Sequence, residues 1–281
     1  MFVASLSGVL MHATVRYLSA DLRPFELAFF RNFLALIILA IPLLRLGLKP
    51  LHSRHRGLHL LRGALTTASM LSFFTALSMS PLAQVTALSF TAPLFATVLA
   101  IAFLGEVVRL RRWIAILIGF AGTMVILRPG VEAIDLGTGL TLVSAATWGA
   151  AIVVTRVLGR SESSHTITLY MALIMTAWSF VPATTVWIWP SPDLYFWLFL
   201  MVAFGTVTQL CFTQALREAE TSVVLPIDFL KLIWATMIGY ALFAELPDGT
   251  TLFGGAMIFA SAIYIAYRES RLQRSRIAYD K

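Results

Sequence analysis

The sequence predicts an all-α membrane protein with about ten transmembrane helices, arranged as two inverted five-helix repeats. Three observations support this fold class. Hydrophobic residues make up 59% of the 281 residues and charged residues only 12%, about half the share of a typical soluble protein. The hydrophobic residues form long runs, and the two halves of the chain share short motifs at a constant spacing. A soluble core of this size has no room for so much apolar surface, whereas a bilayer does.

Ten apolar runs remain when the chain is cut at its charged, proline-rich and glycine-rich breaks. A bilayer core is about 30 Å thick, so about 20 helical residues are needed to cross it. Backbone polar groups in lipid must bond within their own segment, which makes each run a helix. The predicted spans are 1–18, 25–46, 58–79, 82–105, 111–128, 138–158, 166–189, 193–216, 222–245 and 250–267.

The basic residues predict the orientation of these spans. Most of the 21 Lys and Arg residues fall on the side that holds both termini, including the stretch 47–57. Only Arg16, Arg23 and Arg128 flank the opposite side. Positively charged loops stay in the cytoplasm, so we expect a multi-pass protein of a bacterial-type inner (plasma) membrane with both termini cytoplasmic. The net charge of +7 then reflects topology, and no nucleic-acid partner is expected.

Short motifs recur between the two halves of the chain. Ala76–Leu77 corresponds to Ala215–Leu216, and Phe103–Glu106 corresponds to Leu242–Glu245. Each half holds an odd number of spans, so the second half is upside down relative to the first. Inverted repeats of this kind build many secondary transporters, in which two similar halves exchange conformations around a central site. We expect a first repeat at 1–136, a second repeat at 137–268 and a basic cytoplasmic tail at 269–281.

The same motifs carry a resemblance to a known family. They lie at the start of the second span and along the third-to-fourth and eighth-to-ninth spans, and they are Pro24–Asn32, Ala76–Leu77, Pro81–Leu88, Ala92–Pro93, Phe103–Glu106, Ala215–Leu216, Leu225–Pro226 and Glu245. The chain resembles the EamA type of the drug/metabolite transporter (DMT) superfamily, and within it the YddG-like amino-acid exporters. The resemblance implies the DMT-like fold, with a central cavity built by spans 1, 3, 4, 6, 8 and 9 and with spans 5 and 10 at the periphery.

Two opposite charges in the ninth span are the first candidates for a substrate-binding site. Asp228 and Lys231 are three residues apart and therefore share a helix face. Lys231 falls near the membrane midplane, where an uncompensated charge is costly. The pair either satisfies itself within the helix or faces the cavity, where Lys231 meets a substrate carboxylate and Asp228 meets an amine or a proton.

Aromatic and small polar residues at mid-span are further cavity candidates. Trp148 lies in the middle of the sixth span, away from the membrane interface that tryptophan prefers, and a buried indole N–H needs a partner. Ser69 and Phe73 share one face of the third span because they are four residues apart. Phe90 lies close to Pro93 in the fourth span. These side chains either line the cavity or serve in ordinary helix packing.

Prolines and two basic residues bear on how the helices move. Pro93 and Pro226 interrupt the hydrogen bonding of the fourth and ninth spans, so we expect hinges there. His12 in the first span either relays protons, since imidazole exchanges them near physiological pH, or bonds within the helix packing. Arg31 in the second span either snorkels outward or pairs with another helix.

Helix ends and glycines predict further packing. Glu106 and Glu245 end the fourth and ninth spans, and we expect them to cap helix ends or to bond loops. Glycines allow close contact between helices, and the fifth and tenth spans hold several of them, namely Gly119, Gly122, Gly254 and Gly255.

Motif searches narrow the function classes. A membrane enzyme is not expected, because the chain has neither a Gly-x-Ser-x-Gly elbow nor a His-Glu-x-x-His motif. An ATP-driven pump needs a phosphate-binding loop, Gly-x-x-x-x-Gly-Lys-Ser/Thr, which the sequence also lacks. A receptor or scaffold would leave the inverted repeat unexplained. A secondary transporter accounts for both the repeat and the sparse midplane charges.

We therefore expect a transporter that exports small metabolites, above all amino acids, by alternating access. The alternatives are nucleosides, drugs or S-adenosylmethionine-like cofactors, with a membrane-embedded receptor or scaffold as a distant one. We expect no catalytic residue, no cofactor and no metal, and the single cysteine, Cys211, excludes an internal disulfide and a thiolate cluster. The expected partners are a small-molecule substrate and membrane lipid, and the expected state is a monomer.

Overall fold

A computed structural model shows the arrangement of the chain. It describes residues 1–46, 53, 55–105, 110–127, 135–159, 161–162, 164–218, 228, 230–246 and 248–279. Within these ranges the regular structure is entirely helical. The helices are α1 Phe2–Leu18, α2 Pro24–Leu46, α3 Arg56–Met79, α4 Leu82–Ser89, α5 Ala92–Leu104, α6 Leu110–Leu127, α7 Leu136–Leu158, α8 Ser164–Thr184, α9 Leu194–Glu218, α10 Leu230–Phe243 and α11 Gly249–Tyr279.

Five segments of the described chain are long and apolar enough to cross a membrane, and they are Arg56–Met79, Leu82–Leu104, Leu136–Leu158, Thr166–Thr184 and Leu194–Phe212. Four shorter apolar helices accompany them, at Phe2–Leu18, Trp113–Leu127, Leu230–Phe243 and Gly249–Tyr264. Each lies within or overlaps a predicted span. The predicted fold class, an all-α membrane protein, is therefore confirmed.

The fourth predicted span is broken into two helices, α4 and α5, where a single helix was expected. The break is at Phe90 and Thr91, where backbone N–H groups bond three residues back: Phe90 to Ala87 at 3.3 Å and Thr91 to Leu88 at 3.0 Å. Pro93 explains the position, because it has no N–H to donate and its ring excludes the carbonyl four residues earlier. The discontinuity thus lies just before Pro93, and its service as a hinge stays a prediction.

Helix packing follows the symmetry of an inverted repeat. In such a repeat α1 corresponds to α7, α2 to α8 and α3 to α9. The broken α4–α5 segment corresponds to α10, and α6 corresponds to α11. The most extensive contacts are α3 with α7, α6 with α11, α1 with α9 and α2 with α8. Exchanging the halves turns the α3–α7 contact into the α9–α1 contact and leaves the other two unchanged. The contact pattern therefore supports two inverted five-helix halves.

A shared turn ends the two corresponding helices α5 and α10. Gly105 ends α5 in the left-handed region with φ of 65°, and Ala244 follows α10 with φ of 54°. These residues occupy the same place in the recurring motif Phe103–Glu106 and Leu242–Glu245. Glycine adopts this conformation freely, whereas alanine is strained by its Cβ. The structure thus reproduces the sequence repeat at the level of backbone conformation.

Helices α6 and α11 form a close pair beside the rest of the bundle. A Cβ on Gly122 would lie 2.7 Å from the carbonyl oxygen of Gly254, so the two backbones touch. The close contact predicted from these glycines is confirmed. Apart from each other, α6 and α11 contact mainly α4 and α5. They are the fifth and tenth spans, which the family resemblance places at the periphery.

Candidate functional site

The ion pair predicted in the ninth span is formed in the structure. Lys231 Nζ lies 3.0 Å from Oδ2 and 2.8 Å from Oδ1 of Asp228. Both side chains are mostly buried, with exposures of 23% for Lys231 and 17% for Asp228. Lys231 Cε lies 3.6 Å from the point where a Cβ on Gly8 would stand, so the pair faces α1 inside the bundle. The predicted pairing of Asp228 with Lys231 is therefore present. That the pair binds a substrate stays a prediction.

Polar groups of α1 and α9 continue from this pair. Ser7 Oγ lies 3.0 Å from Thr208 Oγ1. The methyl group of Thr208 is 3.4 Å from the position of a Cβ on Gly8. The missing side chain at Gly8 therefore lets Lys231 from one helix and Thr208 from another approach the same point of α1.

His12 lies one turn further along α1. Its ring packs edge-on against Phe73 of α3, with 4.8 Å between centroids. Its Nδ1 is buried and has no hydrogen-bond partner among the described residues. The sequence left open a hydrogen bond that holds His12 within the helix packing, and Nδ1 makes no such bond to the described residues. A role of His12 in proton relay stays a prediction.

Arg31 of α2 points into the bundle. Of the two predicted alternatives, snorkelling outward or pairing with another helix, the structure therefore does not show snorkelling. Its Nη1 donates to Asn32 Oδ1 at 3.2 Å and lies 3.8 Å from the sulfur of Met70 on α3. Its Nε is 3.8 Å from the position of a Cβ on Gly205 of α9. Within the described ranges no carboxylate pairs with Arg31. The guanidinium thus reaches the space between α3 and α9.

These side chains come from four helices and lie around one stretch of α1, between Gly8 and His12. We call His12, Arg31, Thr208, Asp228 and Lys231 the central cluster. Phe73 borders it through its contact with His12. Among the predicted binding residues, the structure therefore brings together His12, Phe73, Asp228 and Lys231. The predicted hinge Pro226 lies outside the described residues.

The other predicted binding residues lie elsewhere. Trp148 is 43% exposed and lines a cavity of about 250 Å³ between α3 and α7, together with Arg62 and Thr66. Ser69 is buried in the same helix contact and bonds Ser144, at 2.9 Å to its carbonyl oxygen and 3.1 Å to its Oγ. Phe90 packs against Phe259 of α11, with ring centroids 5.7 Å apart. The assignment of Trp148, Ser69 and Phe90 to a substrate site stays a prediction.

A second charged group closes the end of the bundle where α1 ends. Arg16 forms a salt bridge with Glu245 and donates to the carbonyl oxygens of Leu77, at 3.0 Å, and Ser80. The other oxygen of Glu245 accepts from the backbone N–H of Leu82 at 2.9 Å. Glu245 is predicted to cap a helix end or to bond a loop, and its bond to the Leu82 N–H at the start of α4 agrees with this, whereas the salt bridge to Arg16 is an additional contact. Glu106 lies outside the described residues. We call Arg16, Ser80, Leu82 and Glu245 the Arg16 lock.

Asp135 extends the lock to α7. Its carboxylate accepts from Ser80 Oγ at 2.9 Å and from the backbone N–H of Thr138 at 3.2 Å, which caps the start of α7. Partial burial opposes ionisation, yet the hydrogen bonds from Thr138 and Ser80 prevail and hold the pKa of Asp135 below its ordinary value. Five helices, α1, α3, α4, α7 and α10, are therefore tied together at this end.

Sequence reasoning did not find the Arg16 lock. In the sequence, Arg16 stands out only as a basic residue that flanks the first span. Its partners come from segments more than sixty residues away, and no local spacing indicates them. The one available signal was Glu245, because a charged residue that ends an apolar helix needs a partner.

The arrangement defines a class of protein: a membrane transporter with inverted repeats, a polar cluster inside the bundle and a charged closure at one end. Family comparison agrees. The model of the EamA-like transporter family matches residues 1–128 and 135–267, almost the whole chain. The chain therefore belongs to the EamA-like transporter family, as its motifs predicted.

Curated relatives match over nearly their full length. An S-adenosylmethionine uptake transporter from Rickettsia bellii is 28% identical over 262 residues, which cover 93% of this chain and 90% of the relative. A riboflavin transporter from Rhizobium johnstonii is 30% identical over 277 residues, which cover 98% and 92%. The relatives are transporters, and their names do not support the expected amino-acid export.

A solved crystal structure shares the fold. It superimposes with a TM-score of 0.59 at 18% sequence identity and covers 93% of this chain and 95% of its own. At this identity the likeness concerns the fold alone, and it agrees with the helical arrangement described above.

Proposed function

We propose that this protein carries an S-adenosylmethionine-like metabolite across the membrane by alternating access. The substrate class is a planar nitrogen heterocycle joined to a polar, zwitterionic chain. Relatives named for S-adenosylmethionine and riboflavin support the heterocycle, since both compounds contain one. This alternative replaces amino-acid export as the leading interpretation, and amino acids become a competing outcome of the experiment below.

The central cluster is the observation that carries the proposal. Asp228 and Lys231 offer one negative and one positive group inside the bundle. His12 Nδ1 beside them is a buried polar atom without a partner among the described residues. Buried polar atoms normally have a hydrogen-bond partner, so a ligand group is the natural complement of this atom. The opposite charges of the central cluster fit the zwitterionic chain, and a ring nitrogen or hydroxyl fits His12.

Aromatic side chains next to the cluster suit the heterocycle. Phe73 lies against His12. Trp234 is one helical turn from Lys231, and its ring packs edge-on against Phe2 at 5.3 Å between centroids. Its indole N–H is buried and lacks a partner in the part of the chain that the structure describes. Flat aromatic surface with a few directed polar groups is typical of small-molecule sites.

Counterflow in proteoliposomes tests the proposal. Vesicles are loaded with unlabelled S-adenosylmethionine, riboflavin or an amino-acid mixture, and entry of the same compound in labelled form is followed. We expect accumulation of S-adenosylmethionine above protein-free vesicles, with competition by riboflavin and little by amino acids. Transport of amino acids alone would restore the original interpretation, and transport of none of these compounds would overturn the proposal.

Alternating access is proposed to pivot at the break before Pro93 and to open the bundle at the Arg16 end. Gln84 of α4 donates to Thr138 of α7 at 2.9 Å near that end. With Cys211 replaced by serine, the pair Gln84→Cys and Thr138→Cys is suited to a short thiol cross-linker. We expect cross-linking to stop counterflow and each single variant to remain active. Full transport by the cross-linked double variant contradicts the mechanism.

The membrane orientation is part of the proposal. The basic residues around 47–57 and 268–281 favour cytoplasmic loops, and the Arg16 end then faces outward. Reporter fusions at the C terminus and in the 47–57 stretch are expected to show cytoplasmic activity only. A reporter that is active outside at the C terminus contradicts both the orientation and the even number of spans.

A further inference from the structure

We propose that Arg31 is a substrate-binding residue, which holds the carboxylate of the zwitterionic chain while Asp228 holds its amine. This inference deepens the proposed function and rests on it. It assigns the two ends of the substrate chain to different segments: the carboxylate to Arg31 of α2, and the amine to Asp228, just before α10.

Most N–H donors of the Arg31 guanidinium are not used by contacts within the described chain. Arginine carries five N–H donors in a planar fork. In the described chain, Nη1 meets one amide oxygen, on Asn32, and the weakly accepting sulfur of Met70. Asn32 itself is anchored elsewhere, since its Nδ2 lies 3.3 Å from Ser179 Oγ of α8. Asn32 therefore steadies the guanidinium and leaves most of its donors available.

The charges of the cluster are unequal. Arg31 and Lys231 contribute two cations, and Asp228 contributes one carboxylate, which is already bonded to Lys231. A buried cation without a counter-charge is unfavourable. A ligand carboxylate supplies the missing charge, and the planar guanidinium accepts it through two parallel hydrogen bonds. A substrate without an anionic group would leave the imbalance in place.

A glycine of α9 packs closely against the surroundings of Arg31. Gly205 of α9 faces both Arg31 and Met11, and a Cβ at this position would stand 3.8 Å from Arg31 Nε and only 2.9 Å from the sulfur of Met11. A side chain at residue 205 would therefore force Met11 to shift and would stand next to the guanidinium. Gly205→Ala thus offers a way to obstruct this position while every charge remains.

Ligand pairs that differ only by a carboxylate test the inference. The purified full chain is titrated with S-adenosylmethionine and its decarboxylated form, and with tryptophan and tryptamine, and the thermal stabilisation by each ligand is measured. We expect the wild type to bind the carboxylated member of a pair about tenfold or more tightly, since a charge-assisted bidentate bond is among the strongest polar contacts. Arg31→Gln is expected to abolish this preference, and Gly205→Ala to weaken binding of both members.

Two further variants make the result specific. Arg31→Lys keeps the charge but loses the planar fork, so part of the preference is expected to remain, and this variant decides the matter if Arg31→Gln does not fold. Arg23→Gln removes an exposed arginine beside α2 and is expected to leave the preference unchanged. Equal binding of both members by the wild type, or a preference that survives both Arg31 variants, overturns the inference. Preference within the tryptophan pair alone supports Arg31 but refutes the adenosyl substrate, so the two failures are distinguishable.

Discussion

Arg16 and Arg31 lie on neighbouring helices and are equally unusual in an apolar bundle, yet their surroundings differ. Arg16 has a carboxylate, two carbonyl oxygens and, at 5.1 Å, the ring of Phe243 as partners. Arg31 has one amide oxygen and one sulfur in the described chain. A cation whose partners all belong to the protein serves the architecture. A cation whose partners are incomplete is available to a ligand.

The Arg16 lock and the central cluster also differ in the contacts that their residues make. Together with Asp135, the Arg16 lock joins five helices through backbone and side-chain groups, so it closes the whole end of the bundle. The central cluster has its own ion pair and a buried His12 nitrogen that lacks a hydrogen-bond partner among the described residues. We infer that the first region controls access, whereas the second region binds the substrate. The following predictions test this division, beginning with the largest effect.

Lys231→Ala is expected to abolish transport. The change leaves Asp228 as a buried carboxylate without its partner, which costs about 3–5 kcal/mol when a buried ion pair is broken from one side. Counterflow and thermal unfolding of the purified variant measure the two consequences. The double variant Asp228→Asn and Lys231→Gln removes both charges, so it is expected to regain stability but not transport. Normal counterflow by Lys231→Ala would remove the ion pair from the substrate site.

Arg16→Gln is expected to loosen the closed end and to leave substrate binding intact. The variant loses the salt bridge to Glu245, and a one-sided loss of a largely buried charged hydrogen bond costs about 1–3 kcal/mol. A cysteine at Thr138, in a chain with Cys211→Ser, should then react faster with an impermeant maleimide. Arg23→Gln is the matched control and should leave the labelling rate unchanged. An unaltered labelling rate with reduced ligand binding would reverse the roles assigned to the two regions.

Trp148→Ala is expected to reduce counterflow by about twofold or less, because the cavity that Trp148 lines between α3 and α7 is separate from the central cluster. The measurement is the initial rate relative to wild type at saturating substrate. A loss as complete as that of Lys231→Ala would place this cavity on the substrate route and extend the binding site to α7.

Ala244→Gly is expected to stabilise the Arg16 end slightly. Ala244 holds a left-handed backbone with φ of 54°, which costs a residue with a Cβ about 1–2 kcal/mol. Glycine relieves this strain but loses more chain entropy on folding, so a net gain of about 0.5 kcal/mol is expected. Thermal unfolding measures the gain, and Ala241→Gly within α10 is the control, which should destabilise. A loss of stability in Ala244→Gly would contradict the left-handed turn.

The sequence predicted the parts of the molecule that depend on local pattern. The apolar runs gave the helices, the glycines gave the α6–α11 contact, and the three-residue spacing gave the Asp228–Lys231 pair. It did not predict the Arg16 lock, because Glu245 and Ser80 become neighbours of Arg16 only through the packing of distant segments. Nor did it predict which face of α3 meets which helix, so Ser69 was grouped with Phe73 although the structure directs them to α7 and α1.

The backbone contact between Gly122 and Gly254 has a practical consequence for spectroscopy. At this point the two main chains touch directly, so no side-chain rotamer there can change their separation. A pair of spin labels on the outer faces of α6 and α11 should therefore report one narrow distance distribution throughout the transport cycle. The α6–α11 pair therefore serves as an internal distance reference. Comparison with it separates a real displacement of labels on α1 or α10 from the motion of the spin label itself.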